Sequence, residues 1–181
     1  MRTETLTFPV YTFAELSEQA QDIAREEIGV WLEVDVSEAI DSMHKLAECF
    51  NSRLINWEID PADSQPCGAP HFQVADLSAE ELEQRLAELG SFNPKTGKGL
   101  GDCVLTGVYT DEEALDGLRL SWRKGTRDLP TLLAAAWKSL VRSVHADYEQ
   151  RHSVAGVTEA CAANELEFLS SGKLYYPADF T

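Results

Sequence analysis

Paired cysteines are missing from this chain. Its four, Cys49, Cys67, Cys103 and Cys161, are scattered and form no CxxC pair. That spacing gives no support to a zinc ribbon or a dithiol redox motif, and we expect reduced thiols in or near a core. Long apolar runs are missing too. The longest helical one, "LLAAAW" at Leu132 to Trp137, falls far short of the roughly 20 residues that span a bilayer. The opening "MRTETLTFPVYTF" has no apolar core of a signal peptide. Together these absences lead us to expect a cytoplasmic protein that does not engage membranes.

Local signatures of chemistry are equally scarce. "NPKTGKGLGD" lacks the four-residue gap and the hydroxyl after lysine that a phosphate loop needs, since Gly99 follows Lys98. Gly97, Gly99 and Gly101 are spaced GxGxG without a preceding strand, so the dinucleotide pattern is absent as well. A lysine-bearing loop is the expectation there, able to contact an acidic group. The histidines His44, His71, His145 and His152 show no HExxH or other ligand pair. No serine sits in a GxSxG elbow. Neighbouring carboxylates such as Glu26–Glu27, Glu80–Glu81 and Asp111–Glu113 lie along amphipathic helices. Glycoside chemistry instead opposes two carboxylates across a pocket. We therefore assign no catalytic residue, no metal and no cofactor.

What the chain does have is acid. It holds 31 Asp and Glu against 15 Lys and Arg, a formal charge of −16. Residues 1–60 carry 13 acids and 4 bases, residues 61–120 carry 11 and 4, and residues 121–181 carry 7 of each. Such a surface repels nucleic acid and anionic membranes and attracts basic proteins.

With 181 residues and 44% apolar content, the chain is long enough for one domain, residues 1–181, with its own core. "TLTFPVYTF" alternates Leu6, Phe8 and Val10 against polar residues and predicts an edge strand carrying Pro9. Ser17 predicts an N-cap for a helix with Ala20, Ile23, Ala24, Ile28 and Trp31 inward. A second helix follows from Val36, Ile40, Met43, Ala47, Phe50 and Leu54, with Ser37 near its start. "LINWEID" predicts a strand with Ile55, Trp57 and Ile59 on one face, and "HFQVA" a partner strand.

"SAEELEQRLAELG" predicts a helix with a Ser78–Glu81 capping box, a Leu82, Leu86 and Leu89 stripe, and Gly90 as its C-cap. Asp111 to Trp122 reads as helical, with Thr106-Gly107 as the turn before it. "TLLAAAWKSLVRSVHADYEQ" is the longest expected helix. Thr158 to Ala163 is a short one, with Asn164 in the left-handed position, and "LEFLSSGKLYY" predicts a hairpin. The sum is an α+β fold, a helix-rich single domain packed on a small antiparallel sheet.

Three blocks carry a resemblance: "YTFAELSEQAQDIA" (Tyr11 to Ala24), "CVLTGVYTDEEALDGLR" (Cys103 to Arg119) and "AANELEFLSSGK" (Ala162 to Lys173). In this order they resemble a widespread family of phage and prophage proteins. That family opens on an aromatic-x-Phe-Asp-Glu-Leu-Ser segment, continues through a Cys-x-Leu/Phe-Thr-Gly step and ends in an Asn-Glu-x-x-Phe hairpin. Ala14 stands where the family usually has an acid. Some members bear the label antitoxin. The resemblance implies a phage origin and a bacterial host cytoplasm, and no mechanism.

The expectation that joins charge to resemblance is a non-enzymatic binding protein that inhibits a bacterial defence complex, anti-CRISPR or anti-restriction in kind. Its carboxylates would stand in for DNA phosphates, which lie about one charge per 1.7 Å along a duplex. The partner would be a host defence protein or nucleoprotein complex with a basic surface, with no direct binding of nucleic acid. The candidate partner-binding residues are Glu18, Asp22, Glu26, Glu27, Glu33, Asp35, Glu38, Asp41, Glu80, Glu83, Asp111, Glu112, Glu113 and Asp116. Three alternatives stand beside it: an antitoxin neutralising a cognate toxin, an enzyme with a site assembled from distant residues, and acidity that serves solubility alone.

Overall fold

The computed structural model describes residues 7–63, 69–89 and 105–176. The fold is helix-rich α+β with a two-stranded antiparallel sheet. Its contacts group into two compact units, residues 1–33 with 148–181, and residues 34–147.

In the first unit a 3-10 turn, Phe13–Glu15, leads into α1, Glu18–Glu27. Ser17 caps α1 by accepting from the Ala20 amide, as its position before the apolar periodicity requires. The helix stops at Glu27, and a short turn, α2 (Gly29–Leu32), follows. Gly29 disfavours continuation, and the change of phase buries Leu32 while leaving Trp31 38% exposed. The expectation of an inward Trp31 is thus corrected.

No strand forms over residues 7–10, and Leu6 lies outside the described residues. Tyr11 alone pairs there, exchanging two backbone hydrogen bonds with Phe168. Phe168 also bridges Leu174, so the expected C-terminal hairpin is one isolated bridge rather than two strands. Phe13, Ala24, Ile28, Leu32, Val157 and Phe168 fill this unit's core. Each large apolar side chain so buried contributes about 1.5–3 kcal/mol.

The second unit begins with α3, Ser37–Cys49, followed by β1, Arg53–Asn56, and β2, His71–Gln73. The strands pair antiparallel with Leu54 opposite Phe72, and a bulge falls between Leu54 and Asn56. This reverses the predicted face: Leu54 is buried, while Ile55 and Trp57 are 55% and 40% exposed. Alternation from the buried Leu54 turns Ile55 and Trp57 outward, and the bulge leaves Asn56 exposed as well. Helix α4, Ala79–Glu88, has both halves of the Ser78–Glu81 capping box and buries Leu82 and Leu86. Gly90 and the lysine-bearing loop lie outside the described residues.

Helices α5, Tyr109–Arg123, and α6, Leu129–His152, complete this unit, with α6 passing into the first unit from Tyr148. Trp122, Leu133, Trp137 and Leu140 join Met43, Leu46 and Phe50 in one core. Helix α7, Val154–Ala163, belongs to the first unit.

Three helices end in the same way. After α3, α5 and α7 a left-handed residue (Asn51, Gly125 or Glu165) lets the next amide reach back, as from Ser52 to the Ala47 carbonyl and from Leu166 to that of Cys161. That pattern satisfies carbonyls the helix leaves open. It ends α3 before Leu54. It also moves the left-handed position from the expected Asn164, at φ −102°, to Glu165, at φ 52°. Asn164 instead turns its side-chain amide back to the Ala160 carbonyl.

Candidate interaction surface

Helix α1 presents Glu18, Asp22, Glu26 and Glu27 to solvent. Alternating them with Ala20 and Ala24, both buried, separates a wet stripe from a dry one at helical spacing. Its single base, Arg25, pairs with Asp22 at 2.8 Å and lies over the Phe13 ring. Among the described residues Glu18, Glu26 and Glu27 have no cation within ion-pair distance. Glu33 is exposed beyond α2, and its backbone carbonyl accepts from Arg151.

The remaining candidates lie in the second unit. Asp35, Glu38 and Asp41 are exposed around the start of α3. Asp35 accepts from the Ser37 amide at 2.8 Å, which lowers its carboxyl below the ordinary range and satisfies a helix donor that would otherwise lack a partner. Glu80 and Glu83 are exposed on α4. The fourteen expected residues therefore do not form one patch within one unit: five belong to the first and nine to the second.

The Thr106–Asp116 corner departs most from expectation. Asp111 was expected on the acidic face, and it is fully buried. Its carboxylate accepts from the Thr106 amide at 2.8 Å, the Gly107 amide at 2.7 Å and the Thr106 hydroxyl at 2.9 Å. Burial pushes this carboxyl up. Hydrogen bonds from Ser42, Gly107 and Thr106 outweigh burial and hold it below the ordinary range. The Ser42 and Thr110 hydroxyls lie 2.7 Å apart, and Thr110 also donates to the Glu38 carbonyl at 3.3 Å. Gly107, at φ +86°, permits the bend that turns both amides onto one carboxylate.

Asp111 thus closes the loop onto the first turn of α5, where Val108 supplies no side-chain cap. Ser42 and Thr110, which complete the clasp, were not singled out from the sequence. No local signal points to them, because the partners are 68 residues apart.

Further along α5, Arg119 is buried and pairs with both Glu112 and Asp116, the latter at 2.8 Å. Burial disfavours its charge, and the two carboxylates overcome that and raise its affinity for the proton. Glu113, half-buried, is pushed up by burial and then by Asp116 and Glu112. Of the four α5 acids, then, one is enclosed and two share a single buried guanidinium within the helix.

His145 donates from Nδ1 to the Pro61 carbonyl, and His152 donates to that of Tyr148 while stacking on its ring. Burial raises the thiols of Cys49 and Cys161, which disfavours the reactive thiolate. Cys67 and Cys103 lie outside the described residues. Among the described residues no three His, Cys, Asp or Glu side chains gather as a metal-holding group, and no helix is long and apolar enough to cross a membrane. No family model, curated protein or solved structure matches the chain.

Proposed function

We propose that this chain is a non-enzymatic binding protein that meets a basic protein surface through the carboxylates of α1. The observation that carries this reading is the outward placement of Glu18, Asp22, Glu26 and Glu27 with only Arg25 as internal counter-charge. The phage resemblance of the three sequence blocks supports a bacterial defence complex as the target. Magnitudes favour a basic protein surface over a faithful copy of DNA. Carboxylates at i, i+4 and i+8 recur about every 6 Å along a helix, whereas duplex DNA carries about one charge per 1.7 Å. Association is steered by charge, and its strength falls with salt.

The test is capture from a bacterial lysate on immobilised protein, eluted with rising salt and separately with duplex DNA. Basic proteins released by moderate salt support the reading. Displacement by DNA places the contact in a nucleic-acid groove of the partner. Retention undiminished at about 1 M salt, where charges are screened beyond roughly 3 Å, contradicts it. Recovery of a toxin on those terms favours the antitoxin alternative.

A further inference from the structure

The neutrality of residues 121–181 conceals a reversal of sign. Residues 121–142 hold five bases and one acid, whereas residues 143–181 hold two bases and six acids. The structure gathers three of those five bases around one groove. Gly117, Ser121 and Lys124 recur at i, i+4 and i+7 along α5 and its C-cap, and Lys138, Ser139 and Arg142 share a face of α6. The space between these faces is an open groove of about 290 Å³.

Its floor depends on Gly117. A Cβ there would stand 2.4 Å from the Ala135 carbonyl oxygen and 2.7 Å from the Ser139 Cβ, so α5 and α6 approach this closely only because the side chain is absent. Among the described residues, Lys124, Lys138 and Arg142 have no carboxylate within ion-pair distance, whereas Arg25 and Lys45 each have one and Arg119 has two. Ser121 donates its hydroxyl to Thr126. Ser139, half-buried on the wall, keeps a hydroxyl that no other described residue engages. Leu120, 49% exposed, adds an apolar flank.

We propose that this groove binds a compact phosphate-bearing anion, either inorganic phosphate or a small phosphomonoester. Lys124, Lys138 and Arg142 supply the charge and Ser139 a hydrogen-bond donor. Three cations suit a group that carries about −1.5 to −2 near neutrality, and the arginine fork fits two of its oxygens at once. Compactness follows from the rest of the molecule. The lining positions span about 10 Å of helix, and a longer polyanion would run past them onto the rest of a chain of net charge −16. Nucleic acid is therefore excluded where a small phosphate is admitted.

Amide NMR titration of the full chain with inorganic phosphate, phenyl phosphate and acetate, at matched ionic strength, tests the proposal. Saturable shifts centred on Gly117, Ser121, Lys124 and Ser139 are expected from both phosphates and not from acetate. Equal affinity for the two assigns free phosphate as the ligand, and tighter phenyl phosphate assigns a phosphomonoester packed on Leu120. The Lys138→Gln, Arg142→Gln double variant should weaken binding by about tenfold or more, which is ~1.4 kcal/mol, with an unchanged melting temperature. Should that variant fold poorly, Lys124→Gln, at the exposed end of α5, is expected to weaken binding severalfold. An equal response to acetate, shifts scattered over the molecule, or unaltered affinity in the folded variants overturns the proposal.

Discussion

Helices α1 and α5 each carry four carboxylates, and they use them in opposite directions. On α1 all four face solvent, and one base answers one of them. On α5 Asp111 is enclosed by donors from its own loop and from α3, and Arg119 holds Glu112 and Asp116. The formal charges are alike, but the charge available to a partner is not. A carboxylate that accepts several short hydrogen bonds stabilises the fold and adds little to an outward field. The candidate surface is better drawn from α1, with the exposed acids of α3 and α4 considered within their own unit.

The contrast is broken most severely at Asp111. Asp111→Ala removes the acceptor of two backbone amides, the Thr106 hydroxyl and Ser42. With hydrogen bonds to charged groups contributing about 1.5–3 kcal/mol each, and the exposed Thr106–Gly107 amides able to regain water, we expect a net loss of roughly 3 kcal/mol. Urea unfolding followed by tryptophan fluorescence measures it. A loss below about 0.5 kcal/mol, the range of ordinary surface changes, would show that the clasp does not hold the corner.

Acid titration sharpens the same difference. The folded Asp111 carboxyl lies below its ordinary value of 3.8. Its stabilisation is therefore complete above that value and drains away as pH falls through the lower folded one. The stability gap between the parent chain and Asp111→Asn should stay constant through mildly acidic pH and narrow below about 3.8. A gap that already closes near pH 5 would contradict the clasp.

The smallest effect is expected at Glu113, the one α5 acid whose carboxyl is raised, by burial and then by Asp116 and Glu112. A raised carboxyl penalises the ionised fold at neutral pH, and the penalty disappears as pH falls below the unfolded value. Glu113→Gln should stabilise the protein by about 0.3 kcal/mol at pH 7 and by nothing at pH 3. Thermal melts at both pH values would register the difference, and destabilisation at pH 7 would reverse the assignment.

How far these features were legible in the sequence depended on the range of the interaction. The Ser78–Glu81 box, the Leu82 and Leu86 stripe and the long α6 are set by neighbours within one or two turns, and they stand where the residues predict. The inward face of β1 was misread because Leu54, expected on the preceding helix, belongs to the strand and sets its phase once that helix stops at Cys49. Trp31 was misplaced because α1 stops before Gly29. Asp111 looked like one more member of an acidic run, and its burial depends on Ser42 and on Gly107's left-handed backbone. The cationic groove was averaged away, because its bases precede an acidic stretch of equal and opposite charge.

The most direct test of the account is a paired measurement on α1. Asp22→Lys, Glu26→Lys and Glu27→Lys are combined in one chain, and melting temperature and capture of lysate proteins are compared with the parent. All three positions are exposed, so the melting temperature should stay nearly unchanged. Recovery of salt-eluted basic partners should fall by much more than tenfold, a loss of over about 1.4 kcal/mol. Full recovery on the folded triple variant would contradict the claim that the α1 carboxylates are the binding surface.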